Sequence, residues 1–260
     1  MTPTISLIVS SYNQNKTISE ILSRLDDSDK KIDEVIIDDD GSDQSLELDS
    51  IELTQSRILD LSYLTHEDKG FRKCKILNEA IKKANSDYIV FLDGDCLPHC
   101  EFVEDHCVLA ERNFFVQGRR CFIQESQVER LLDKKTTIPR LILSRKVNGL
   151  LKAIRLPRPK IKRNTSMYGL LGCNLAAWRE DLLSVNGFDE DYEGWGREDS
   201  DLGARLYNLG LQRKVVYGRA LVYHLNHPVN KRDNLKENDR KLNETIKRGK
   251  IRCANGIVKE

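Results

Sequence analysis

Short apolar runs alternate with amphipathic stretches through the first half of this chain. Ile5–Val9, Glu34–Ile37, a run at 58–64 and Tyr88–Leu92 read as four strands. Between them lie a helical stretch ending near Leu25 and a helix carrying Ile76, Leu77, Ala80, Ile81 and Ala84. This alternation predicts an α/β fold, a mostly parallel sheet with helices on both faces. In such sheets ligands bind outside the carboxyl ends of the strands. Those ends carry Ser10–Asn13, Asp38–Asp40 and Asp93–Asp95.

The second half is less regular. Residues 128–165 read as helical or irregular, and 167–178 as a strand. Leu202, Leu206 and Leu209 mark the apolar stripe of a helix that follows an unusual acidic, glycine-flanked segment, Gly194-Trp-Gly-Arg-Glu-Asp-Ser-Asp201. A strand is predicted over 215–224, and the charged tail from Lys231 onward is predicted helical.

Composition narrows the classes. A 260-residue chain with 39% hydrophobic and 32% charged residues can bury a real core. A net charge of +1 argues against a global field for nucleic acid or membrane, so a basic contact must be local. The run from Arg145 to Arg163 is the place for one, either as a mobile or solvated loop or as a surface for anionic lipid. No apolar run reaches bilayer-spanning length and no signal-peptide pattern opens the chain. A cytoplasmic setting, at most at the inner face of a membrane, is the expectation. The seven cysteines form no C-x-x-C pair and read as reduced, mostly buried thiols.

The chemistry concentrates at the strand ends. Asp93-Gly94-Asp95 delivers two carboxylates around a glycine, a pattern that suits Mg²⁺ or Mn²⁺ on a diphosphate and also suits a plain acidic turn. A phosphatase with an aspartyl nucleophile fits less well, because Cys96 follows the pair and the motif lies on the fourth strand. Asp38-Asp-Asp-Gly-Ser-Asp43 lacks the glycine and glutamate spacing of a calcium loop. Its carboxylates can instead meet a nucleotide's base or ribose, or simply face solvent. Tyr12 can lie along a nucleobase, and His224 rather than His227 is the expected metal partner of the carboxylates. One of Glu198 and Asp199 can serve as general base while the other orients an acceptor hydroxyl. Trp195 offers a ring face to a sugar, and its glycine neighbours suit a moving lid.

Together these segments resemble family 2-type glycosyltransferases of the GT-A fold. Val9-Ser-Ser-Tyr-Asn13, Ile37-Asp-Asp-Asp-Gly-Ser42 and Phe91-Leu-Asp-Gly-Asp95 are similar to the nucleotide-sugar half. Asn186-Gly-Phe-Asp189 and Gly194–Leu202 resemble the acceptor half of β-1,4-galactosyltransferases and bacterial chondroitin-polymerase-like enzymes. Gly70–Asn78 resembles a donor-binding stretch of the same enzymes. The resemblance implies a GT-A, Rossmann-like sheet with a smaller acceptor-side subregion. Its divisions fall at 1–122 (nucleotide sugar), 123–166 (basic insert), 167–230 (acceptor and catalysis) and 231–260 (polar helical tail).

By position it implies Asp40, Tyr12 and Ser10 at the nucleoside, Asp93 near the ribose, and Phe71, Lys75 and Trp195 among the donor contacts. It further implies Asp95 and His224 as ligands of Mn²⁺ or Mg²⁺, Asp199 as base and Glu198 as acceptor partner. Arg197 departs from the family's usual glycine. The implied activity is inverting transfer of a hexose or N-acetylhexosamine from a UDP-sugar to a saccharide or lipid-linked saccharide, in bacterial surface polysaccharide or lipopolysaccharide assembly, with no nucleic acid involved. Two other classes stand beside it. A sugar nucleotidyltransferase normally has a glycine-rich basic N-terminal loop, unlike Ser10-Ser-Tyr-Asn13. A carbohydrate-binding module has no need of Asp95, Asp199 and His224 together.

Overall fold

Burial on both faces explains why the first strands form where they do. The computed structural model describes residues 2–48, 53, 57–227 and 233–259. In it β1 (Ile5–Ser11) is almost wholly buried and β2 (Glu34–Asp39) wholly so, as parallel strands sandwiched between helices should be. Between them α1 (Asn15–Asp26) buries Ile18, Ile21, Leu22 and Leu25 against the sheet. The next elements are β3 (Leu61–Thr65), α2 (Lys73–Lys83) and β4 (Tyr88–Asp93). α2 buries Cys74, Leu77, Ala80 and Ile81 on the opposite face of the sheet.

The register of these strands assembles the site. Ser10 is paired across the parallel ladder with Asp38 on one side and Asp93 on the other. The three strand ends singled out in the sequence are therefore one continuous edge.

The rest of the chain widens this core. β5 (Cys96–Pro98), α3 (Phe102–Leu109), β6 (Phe114–Gln117) and β7 (Arg119–Ile123) follow β4. Then come α4 (Glu125–Leu132), α5 (Ile138–Leu143), β8 (Val147–Asn148) and β9 (Lys160–Asn164). β10 (Asn174–Trp178), α6 (Arg179–Ser184), α7 (Glu198–Asn208), β11 (Gln212–Tyr217), β12 (Leu221–Leu225) and α8 (Leu235–Arg248) complete the order. The large sheet runs β3-β2-β1-β4-β10-β6-β11-β9 and a smaller one β5-β12-β7-β8. The large sheet is parallel from β3 to β4, and β10 then enters antiparallel to both β4 and β6.

Several expectations for the second half need correction. The stretch 128–165, read as helical or irregular, contributes β8 to the small sheet and β9 to the edge of the large one. The strand expected over 167–178 begins only at Asn174, and Leu170–Gly172 instead line the cleft. The single strand expected over 215–224 is two strands in different sheets, divided at Gly218-Arg-Ala220, where Gly218 and Ala220 take positive φ. The predicted tail helix is α8, although Lys231 and Arg232 lie outside the described residues. Six of the seven cysteines are buried, Cys100 is exposed, and none is in a disulfide. Among the described residues no helix is long and apolar enough to cross a membrane.

A buried ion pair fixes α7. Arg205 and Asp201 are each 1% exposed at the side chain and meet at 2.7 Å. Arg205 also donates to the carbonyls of Val185 and Gly187, while Tyr192 and Thr245 donate to Asp201. A buried pair broken on one side leaves an uncompensated charge. Arg205→Met, which roughly keeps the volume, is expected to cost about 3–5 kcal/mol in urea unfolding. A wild-type midpoint would remove the pair from the account of how α7 is held.

Candidate active site

The strand edge around Ser10 opens into a cleft of about 860 Å³. Ser10, Tyr12, Asp40, Phe71, Asp93, Asp95, Trp195, Glu198, Asp199 and His224 all line it. Of the sequence-predicted site residues only Lys75 is absent from that lining. It sits exposed on α2, because a helix turns the residue two positions past Lys73 away from the cleft. Lys73, on the same helix, does line the cleft, and nothing in the local sequence pattern singles it out.

On the nucleotide-binding side, Ser10 Oγ donates to Asp38 at 3.1 Å, and burial pushes the Asp38 carboxyl well up. Asp40 accepts the Arg72 amide at 3.0 Å and lies 2.7 Å from His66 Nε2. Burial raises its pKa against the pull of His66 and the Arg72 amide. Tyr12 is half exposed, with its hydroxyl donating to Asp68 at 3.2 Å, so its ring is a free-standing wall of the cleft mouth. Gly94 is required by close approach, since a Cβ there would lie 2.4 Å from Gln14 Oε1 and 2.5 Å from the Ser10 carbonyl. That closeness draws the chain after β4 onto β1, with the Gly94 amide donating to Ser10 at 2.7 Å.

Beyond Gly94, three donor atoms converge. Asp95, His224 and His227 each offer one atom, all within 4.8 Å of one another. Asp95 Oδ2 is 2.9 Å from His227 Nε2 and 3.3 Å from His224 Nε2, and the two imidazoles stack at 5.4 Å. Burial works to raise the Asp95 carboxyl, but the His227 hydrogen bond and the His224 charge outweigh it and hold it low. Burial depresses His224, favouring the neutral imidazole that a metal requires. Its buried Nδ1 has no protein partner. One carboxylate and two imidazoles fit a divalent transition ion better than Mg²⁺, which prefers all-oxygen sites. The structure adds His227 to the expected pair of Asp95 and His224. The signal that finds it is His224-Leu-Asn-His227, where the chain leaves β12 and turns the second ring back onto the first.

Glu198 and Asp199 open α7 and line the same cleft. Asp199 Oδ2 accepts the Gly172 amide at 2.8 Å, and Oδ1 accepts the Ser200 amide and hydroxyl. Glu198 Oε2 is buried with no hydrogen-bond partner. Burial and then the Asp199 charge push Glu198 up to about 7, opposed by Lys73. Burial also raises Asp199, against its backbone hydrogen bonds. Both carboxyls stand at a helix N-terminus, whose dipole favours their charge, and desolvation still wins. Lys73 Nζ meets Asp93 Oδ1 at 2.5 Å. Burial pulls the ammonium down, but Asp93 and then Glu198 hold it above its ordinary value.

Arg197, the departure from a glycine pattern, has φ +79° and so occupies a left-handed position that glycine adopts without strain. Its guanidinium reaches Asp239 of α8 at 2.5 Å. The same helix sends Asn238 to the carbonyls of Glu193 and Gly196. The Gly-Trp-Gly segment, expected to move as a lid, is thus tied to α8 on both sides of Trp195. Asn186-Gly-Phe-Asp189 lies behind the cleft: Asn78 both donates to the Phe188 carbonyl and accepts its amide, while Asn186 binds the carbonyls of Cys253 and Val258.

Comparison with known proteins bears on the family and the fold. Residues 6–169 match the family model described as glycosyl transferase family 2, and residues 153–228 match one described as the N-terminal domain of galactosyltransferase. The chain is 28% identical over 242 residues to a chondroitin synthase of Escherichia coli, covering 86% of this chain and 35% of that one. It therefore spans about a third of the length of that curated relative. Among solved structures, S. aureus TarS residues 1–349 in complex with UDP aligns with a TM-score of 0.61 at 18% identity, covering 95% of this chain and 65% of that one. The Pyrobaculum calidifontis mannosyltransferase PcManGT, in complex with GDP-Man and Mn²⁺, aligns with a TM-score of 0.58 at 20% identity, covering 90% and 59%. Both are similar to this chain in fold.

The raised Glu198 carboxyl has a stability signature. An unfolded glutamate titrates near 4.5 and the folded one near 7, so the folded state binds more protons between those values. Stability then falls as pH rises through that window, and the penalty is complete above it. Glu198→Gln is expected to be more stable than wild type at pH 8 by about 2–3 kcal/mol, the gain vanishing toward pH 4.5. Equal urea midpoints at both pH values would contradict the burial of this charge.

Proposed function

The chain belongs to glycosyl transferase family 2, and on that premise we propose that it transfers a hexose or N-acetylhexosamine from a UDP-sugar to a saccharide hydroxyl, with inversion at the anomeric carbon. One observation carries this reading: the Asp95, His224 and His227 group and the Glu198–Asp199 pair line the same cleft. The first suits the departing diphosphate, the second the arriving hydroxyl. A binding module has no use for a buried carboxylate raised to about 7 beside an ion-binding group.

Asp95, His224 and His227 would hold Mn²⁺. Bound there, the ion supplies Lewis-acid neutralisation of the diphosphate. Asp40 and Tyr12 are assigned to the base, with Ser10 beside them, and Asp93 to the ribose. Lys73 compensates Asp93 in the ground state and offers its ammonium toward a phosphate oxygen or a donor hydroxyl. Phe71 and Trp195 form apolar walls for the nucleotide and the sugars. Asp199 removes the acceptor proton as the new C–O bond forms and the bond to UDP breaks. Glu198 hydrogen-bonds the acceptor. Because the two carboxyls interact, they titrate as a pair, with Glu198 taking up a proton as pH falls through about 7 and burial raising Asp199 as well, so activity is lost on the acid side. The resemblance to a chondroitin synthase supports a surface polysaccharide or lipopolysaccharide as the product under assembly.

The test is release of free nucleotide from a panel of UDP-sugars and GDP-mannose, with an acceptor mixture and with or without Mn²⁺. Turnover of one UDP-sugar that needs the metal is expected. Asp199→Asn should lower kcat by roughly 10²–10⁴-fold while sparing UDP affinity. His227→Ala should weaken Mn²⁺ binding, read by electron paramagnetic resonance, by at least about tenfold. Near-normal turnover of Asp199→Asn would remove it as base. Unchanged Mn²⁺ binding in His227→Ala would remove that ligand.

A further inference from the structure

Residues 134–179 contain twelve of the chain's 42 Lys and Arg and none of its 41 Asp and Glu. The near-neutral net charge therefore hides a strongly basic stretch and an acidic remainder. The basic stretch follows α4 and contains Leu170, Leu171 and Gly172, which line the cleft. Between α4 and those residues the chain passes through α5, β8, a 3-10 turn at Leu150–Lys152 and the edge strand β9.

Two features of the excursion go together. Arg145, Lys146, Arg158, Lys160 and Lys162 are exposed and form no ion pair among the described residues, whereas Arg155 and Arg163 are paired with Glu101, Asp105 and Glu111. The three most exposed large apolar side chains among the described residues also lie here: Leu143 at 85%, Leu151 at 88% and Tyr168 at 92%. Lysines on an edge strand can serve merely to prevent sheet-to-sheet pairing. That role accounts for Lys160 and Lys162 but not for leucines and a tyrosine held in water. A nucleic acid would match the charge and gain nothing from the leucines. A bilayer surface matches both, since headgroup phosphates attract the cations and the interfacial zone takes aliphatic and tyrosyl side chains.

We propose that the face formed by residues 143–168 docks the protein peripherally on an anionic membrane. Such docking does not rest on the transferase reading, because binding needs neither donor nor acceptor.

Co-sedimentation of the full chain tests it, comparing phosphatidylcholine vesicles with vesicles in which about a third of the lipid is phosphatidylglycerol. Binding to the anionic vesicles alone is expected, weakening as salt rises. The triple variant Lys146→Gln, Arg158→Gln, Lys160→Gln should bind at least about tenfold more weakly. The double variant Leu151→Ser, Tyr168→Ser should also lose affinity with its charge intact. All five side chains are exposed, and an unchanged urea midpoint would show that each variant is folded. Equal binding to both vesicle types, no binding to either, or wild-type binding by either folded variant would overturn the proposal. So would tighter retention on duplex DNA than on anionic vesicles, which would reassign the surface to nucleic acid.

Discussion

Lys73 stands among Asp93, Glu198 and Asp38, its side chain partly buried and its ammonium 2.5 Å from Asp93. Burial favours the protonated forms of Asp38 and Glu198, and the Lys73 charge opposes it at both. Asp38 and Asp93 have no freedom to retreat, because the parallel ladder places each beside Ser10. Glu198 has little more, since it opens a helix anchored by the buried Asp201–Arg205 pair. One cation from the first turn of α2 thus lets the strand edge and α7 share a cleft. Its compensation is incomplete: Glu198 remains near 7, a local instability of the kind that accompanies chemical function.

The second half of the chain acts largely as the frame for that arrangement. Asn78 joins α2 to the Phe188 backbone, Asn186 holds the C-terminal residues, and Asn238 of α8 steadies the backbone around Trp195. These are amide side chains satisfying buried backbone groups that regular structure leaves unpaired. Asn186-Gly-Phe-Asp189, a signature on the resemblance, earns its place by architecture, with Phe188 packed edge-on against Phe91 of β4.

Much of this was legible in the sequence where pattern and chemistry coincide. The apolar runs ending in Ser10, Asp38 and Asp93 announced buried parallel strands, and the carboxyl-end rule placed their polar residues in one cleft. Lys73 was not legible, because a lysine in an amphipathic helix reads as solvated and only the sheet below reveals that it points into acid. Lys75, the donor contact that the resemblance implies, is carried by the helical turn to the exposed face. His227 was hidden by the turn after β12, which local pattern does not fix. In the 123–166 stretch, β8 and β9 are short or polar, and they are strands only because partners far along the chain complete their ladders.

Glu198 and Asp199 line the same cleft as the Asp95, His224 and His227 group, and the reaction proposed for them is a single displacement. The most direct test is the anomeric configuration of the product, read by proton NMR once the donor is known. An α-linked UDP-sugar yielding a β-linked product is the expected result. Retention of the donor's configuration would contradict direct attack assisted by a carboxylate base and require a different chemistry for this cleft.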